Sequence, residues 1–62
     1  MNYKEMNKSN TSFEDFKKAC YERAKEEPDY DYAMEGLANE GEMECLYRHG
    51  KSVDSTVYLM TY

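Results

Sequence analysis

Met43-Glu44-Cys45-Leu46-Tyr47-Arg48-His49-Gly50-Lys51-Ser52-Val53-Asp54-Ser55-Thr56-Val57-Tyr58-Leu59-Met60-Thr61 decides the fold of this chain. Read with a period of two, Met43, Cys45 and Tyr47 alternate with Glu44, Leu46 and Arg48, and His49-Gly50-Lys51-Ser52 becomes a turn. Val53, Thr56, Val57, Tyr58 and Thr61 are β-branched or aromatic types that suit a strand. Val57 and Leu59 then share a face with Val53 and Ser55. Read with a period of 3.6, Glu42 and Glu44 sit at the positive end of a helix, Arg48 and His49 at its negative end, and Gly50 closes it. A lone strand leaves its backbone unpaired, so a hairpin of 43–48 with 53–61 is the favoured reading. The expected class is small α+β. The alternative is a mostly α chain of three short helices, with 42–49 the third and the tail left for a partner.

Upstream, the helical signal is stronger. Thr11 and Ser12 are capping residues, with Glu14 or Asp15 three positions on. Phe13, Phe16, Cys20 and Ala24 follow on one helical face, flanked by Ala19. Lys18 and Glu22 form an i,i+4 pair on another face. Pro28 cannot continue the helix, and a helix over 13–26 is predicted. A second is predicted over 30–40, capped by Asp29 or Asp31, with Tyr30, Ala33 or Met34, and Leu37 at helical spacing and Gly41 just beyond its end. Gly36 costs such a helix about 1 kcal/mol. Residues 1–10 are polar and read as a flexible N-terminal arm, with Tyr3 and Met6 able to dock on the body or form an edge strand. Residues 11–62 read as one small domain.

Composition limits what such a domain can do. In 62 residues there is no Ile, and Leu, Val and Phe total seven, while Tyr supplies seven and Met five. The core is therefore thin and built from Tyr, Met, Phe and Ala. A domain of about 60 residues buries only about 60% of its unfolded surface, and small scaffolds usually need a staple or a partner chain. The length excludes a nucleotide-binding α/β fold, a barrel or a two-lobed cleft. The N-terminus lacks the apolar stretch of a signal peptide, and no run approaches the roughly 20 apolar residues of a membrane span. The expectation is a cytoplasmic protein with no membrane contact and with Cys20 and Cys45 reduced. A Cys20–Cys45 bridge is the disfavoured alternative.

The chemistry of sites is sparse. Cys20, Cys45 and His49 are the only soft metal ligands, too few and wrongly spaced for zinc. Cys20 lies on the apolar face of the first helix, where a free thiol behaves as a small hydrophobe. Cys45 and His49 share a face if 42–49 is helical, but a nucleophile pair also needs an oxyanion site and an enclosed substrate. The carboxylates lack a cleft to shift their pKa values. Gly36, Gly41 and Gly50 are isolated and form no phosphate loop. No catalytic residue, metal or cofactor is expected, and the chain does not read as an enzyme.

The charge is informative once it is located. The formal net charge is −5, yet residues 22–44 hold nine acids against Arg23 and Lys25, while both flanks are weakly basic. Direct nucleic-acid binding is disfavoured, because the cations are few and scattered. A duplex carries one phosphate per ~1.7 Å of axis, and carboxylates at comparable density can occupy a basic groove. The candidate partner-binding residues are Glu22, Glu26, Glu27, Asp29, Tyr30, Asp31, Tyr32, Glu35, Glu40, Glu42 and Glu44. Tyr is enriched at protein interfaces. In size, charge and lack of catalytic motifs the chain is similar to the small acidic inhibitors with which bacteriophages disarm CRISPR nucleases or restriction enzymes. The expected function is such an inhibitor, with a partly DNA-mimicking surface that meets a larger protein's basic nucleic-acid-binding face. The alternative is a structural or regulatory module that acts as a homodimer or adaptor subunit, its Tyr- and Met-rich surface being the interface.

Overall fold

Every α-helix among the described residues begins at a Ser, Asp or Asn whose side chain accepts the backbone N–H three residues on. The computed structural model describes residues 2–62. Ser12 caps α1 (Phe13–Ala24) through Asp15 N at 3.3 Å. Asp29 caps α2 (Tyr30–Leu37) through Tyr32 N at 3.0 Å. Asn39 caps α3 (Glu40–Arg48) through Glu42 N at 3.2 Å. Ser52 caps α4 (Val53–Thr61) through Ser55 N at 3.2 Å. Each cap satisfies an N–H that a helix start leaves unpaired, an interaction typically worth about 1 kcal/mol.

The architecture is all-helical, with no strand among the described residues. This overturns the expected α+β class and its hairpin of 43–48 with 53–61. It agrees with the mostly α alternative, except that the tail left free in that reading is itself a helix. The period-two reading failed for a specific reason. Residues four apart share a face in both a strand and a helix, so Val53 and Val57 fit either. The residues between them decide the matter. Thr56 and Thr61 are buried with the two valines, while Ser55 and Leu59, assigned to the same strand face, are exposed. Burial at 53, 56, 57 and 61 is a helical pattern, and it outweighs the β-propensity of the individual residues.

The predicted 30–40 helix is also corrected. It stops at Leu37, and Asn39 starts a new helix that carries Glu40 and Gly41 in its first turn. Gly41 is therefore not a helix terminator. Gly50 is one: it has φ 84, Gly50 N–H donates to Tyr47 O at 3.0 Å, and Lys51 N–H donates to Leu46 O at 3.1 Å. This paired closure requires a left-handed residue, which glycine supplies without strain. The first helix ends two residues earlier than predicted, at Ala24.

α4 contacts α1, α2, α3 and the N-terminal segment. Around it Phe16, Cys20, Ala24, Ala33, Leu37, Met43, Val53 and Val57 are wholly buried. Tyr47 closes one end, its ring centroid 5.0 Å from Phe16 and 5.4 Å from Phe13, with its hydroxyl donating to Thr11 O at 2.6 Å. Small residues at 19, 20, 24 and 33 let the helices approach. The backbones come close at Gly36, where an added Cβ would stand 2.5 Å from the Met60 carbonyl oxygen. The N-terminal residues lie on this body. Tyr3–Glu5 form a short 3-10 turn, and Tyr3 and Met6 pack against the core. Met6 O accepts the first N–H of α4, from Val53, at 2.9 Å, and Lys8 Nζ donates to Arg48 O at 2.7 Å.

Candidate functional site

The nine carboxylates among the eleven candidate residues divide into two groups according to what answers their charge. In the first group the fold itself supplies a cation. Glu22 pairs with Lys25 at 3.1 Å, rather than with Lys18 as its spacing suggested. Glu26 receives Lys4 at 2.8 Å on one oxygen and the Tyr3 hydroxyl on the other. Glu27 holds Arg23 at 3.3 Å and accepts the Tyr62 hydroxyl at 2.9 Å. Glu40 pairs with Lys17, and Glu44 is 3.9 Å from Arg48. Several of these cations come from outside the acidic segment, from positions 4, 17 and 48. The block is thus less negative in space than it is along the chain.

These pairs leave a signature on the ionisable groups. Lys4, then the Tyr3 hydroxyl, hold the Glu26 carboxyl below its ordinary value. The Glu26 carboxylate in turn raises the Tyr3 phenol, and Glu27 raises that of Tyr62. The Lys4–Glu26 contact lies at the surface, where an isolated ion pair contributes little, whereas the Glu27 side chain is only 9% exposed. Glu26 and Glu27 tie Tyr3 and Tyr62 to the residues that follow α1.

The second group keeps its charge free of any cation among the described residues. It comprises Asp29, Asp31, Glu35 and Glu42. Asp29 is committed to capping α2, and Glu42 closes on the cap at Asn39, whose amide lies 3.5 Å away. Asp31 and Glu35 have no such duty. They stand one turn apart on the exposed side of α2, with Tyr30 and Tyr32 exposed beside them, Tyr32 at 57%.

A further surface was not among the candidates. On α4 and its C-cap, Tyr58 (62% exposed), Leu59 (48%) and Tyr62 (72%) face outward, and the two tyrosine rings lie 5.3 Å apart. One shallow groove borders it, and a second lies where α2 meets α4. The first, of about 300 Å³, is lined by Arg23, Lys51, Asp54, Ser55, Tyr58 and Leu59. The second, of about 250 Å³, is lined by Tyr32, Glu35, Gly36 and Met60. Tyr58 and Tyr62, with Tyr47 and Met60, make up the Tyr- and Met-rich surface of the alternative reading, while Ser55 and Leu59 join this face only under a helical period. The strand reading placed Leu59 inside.

Helical α3 brings Cys45 and His49 together, as the alternative reading required. His49 Nδ1 is 2.7 Å from the Cys45 carbonyl oxygen and 3.6 Å from Cys45 Sγ. A carbonyl oxygen only accepts, so Nδ1 carries the proton and cannot take one from the thiol. The pair therefore caps the end of α3 rather than forming a nucleophile and base. Cys20 is fully buried, and burial pushes its thiol up to about 12. Both cysteines are free. Among the described residues no group of three or more His, Cys, Asp or Glu is placed to hold a metal, and no helix is long and apolar enough to cross a membrane.

No family model, curated protein or solved structure matches this chain. The functional reading therefore rests on the surfaces themselves.

Proposed function

We propose that this chain is a small, acidic, non-catalytic protein that binds a larger protein through α2 and occupies a basic, nucleic-acid-facing surface on it. The observation that carries this reading is the pair Asp31 and Glu35. Like charges at i,i+4 destabilise a helix by about 0.2–0.5 kcal/mol, and no cation of the described residues offsets them. A surface that keeps such a pair between exposed tyrosines is suited to a cationic partner. Carboxylates meet Arg or Lys, while Tyr30 and Tyr32 add rigid contact area. Complementary charge of this kind speeds encounter and sets register more than it adds affinity. The acidic surface is narrower than the full eleven residues, because five of them are already paired inside the fold. The site of action is the cytoplasm, and the inhibitors phages deploy against nucleases are the corresponding class.

The test is affinity capture from an extract of the source organism, with the wild type and a D31N/E35Q variant run in parallel. The expected result is a basic nucleic-acid-binding protein that is retained by the wild type, eluted by raised salt, and lost with the variant. An identical set of captured proteins with both baits, or retention indifferent to salt, would overturn the reading.

A further inference from the structure

We infer, resting on the reading that α2 meets a basic partner, that the groove lined by Tyr32, Glu35, Gly36 and Met60 receives one arginine side chain of that partner.

The groove, of about 250 Å³, lies where the carboxyl ends of two helices come together. Tyr32, Glu35 and Gly36 are three and four residues apart and share one face of α2. Glu35 and Gly36 stand in the last turn of α2, and Met60 stands in the last turn of α4. The last carbonyls of a helix have no intrahelical partner and form the negative end of its dipole. A cation is favoured at such an end, yet neither α2 nor α4 has a basic residue in its last turn. α2 instead places the Glu35 carboxylate there, and no cation of the described residues pairs with it. Two negative helix ends and a carboxylate thus converge on one groove whose lining includes no basic side chain.

The lining also selects among cations. Gly36 contributes only backbone, and its approach to the Met60 carbonyl sets the two helix ends side by side. Tyr32 contributes an exposed ring, and Met60 an apolar, adaptable side chain. A guanidinium is planar, stacks on an aromatic face and meets a carboxylate through two parallel N–H groups. Its methylene stem packs on apolar surface such as Met60 offers. An ammonium is a compact, strongly hydrated point charge that makes less use of the ring and of the second carboxylate oxygen. The occupant is therefore arginine, with lysine held more weakly.

Titration of the isotopically labelled protein with acetyl-glycyl-arginyl-glycinamide, followed by amide and methyl NMR shifts, tests this. The same tripeptide with lysine or citrulline at its centre is titrated alongside; citrulline keeps the shape of arginine and lacks its charge. The expected result is a saturable, millimolar site whose largest shifts fall on Tyr32, Gly36 and Met60. The lysine peptide should bind several-fold more weakly and the citrulline peptide not detectably. Glu35→Gln should weaken the arginine peptide several-fold, and Tyr32→Leu should erase the preference for arginine over lysine, both with helix content unchanged by circular dichroism. Glu14→Gln, in the first turn of α1, should change neither. Shifts spread evenly over the acidic surface, equal binding of the three peptides, or arginine binding indifferent to Glu35→Gln overturns the inference. A basic protein captured from extract, with the arginine peptide ignoring the groove, overturns the arginine site and leaves the basic-partner reading standing. A groove that takes the peptide, with no basic protein captured, upholds the arginine site and overturns the basic-partner reading.

Discussion

The Gly36 Cα and the Met60 carbonyl oxygen are so close that a methyl group at position 36 would stand 2.5 Å from that oxygen. The obstruction is backbone, which cannot swing aside as a side chain can. Alanine in place of glycine normally gains about 1 kcal/mol inside a helix. Here overpacking, which typically costs about 1–3 kcal/mol, opposes and exceeds that gain. Gly36→Ala is expected to lower stability by about 1–2 kcal/mol in urea melts. Gly41→Ala is the control: its nearest neighbour is the Asn39 side chain at 3.7 Å, and it should gain up to about 1 kcal/mol. Two glycines in adjacent helices thus respond with opposite sign.

Thr56 is wholly buried in the centre of α4, and its hydroxyl has no hydrogen-bond partner among the described residues. An unpaired buried hydroxyl costs about 1–3 kcal/mol. Valine has the same shape without the polar atom. Thr56→Val should therefore raise stability by about 1 kcal/mol, read as a higher urea midpoint at unchanged slope.

Acid should loosen the N-terminal segment before it unfolds the body. The Glu26 carboxyl is held below its ordinary value by Lys4 and then by Tyr3. A carboxyl lowered in the folded state contributes stability above its unfolded pKa, and that contribution disappears as pH falls through the folded value. At the alkaline end the raised Tyr3 phenol behaves oppositely: its contribution is present below the ordinary tyrosine value and is lost as pH rises through the folded one. Amide exchange at Val53, whose N–H is held by Met6 O at 2.9 Å, should accelerate at both limits. Glu26→Gln should abolish the acid limb.

The two thiols should separate cleanly in reactivity. Cys45 is exposed, whereas Cys20 is buried with its thiol pushed up to about 12. A chromogenic disulfide reagent at pH 8 should titrate one thiol per native chain, and the second only when denaturant is added. Cys45→Ser should leave no fast-reacting thiol, since only the thiolate attacks.

The sequence discloses α1 and the cap of α2 because their signals are local. Ser12, Asp29 and Pro28 punctuate, and Phe16, Cys20 and Ala24 repeat without ambiguity. It conceals α4 because Val53 and Val57 satisfy two periods at once. The deciding information was punctuation of the same kind: Ser52 three before Ser55, and Asn39 three before Glu42, repeat the grammar of Ser12 and Asp15. Position 36 was legible as a cost but not as a contact, because its partner Met60 lies far along the chain. The acidic surface was legible by count and not by disposition. The sequence shows nine carboxylates between 22 and 44, while only folding brings Lys4, Lys17 and Arg48 to three of them. Tyr58 and Tyr62 belong to the Tyr- and Met-rich surface of the alternative reading, and exposed Leu59 joins them only once the helix is recognised.

The central place of α4 has a consequence for how the chain opens. Every other element packs against this one helix, so detaching it uncovers Phe16, Leu37 and Met43 together. Unfolding is therefore expected to be all-or-none, with no smaller part of the body that opens alone.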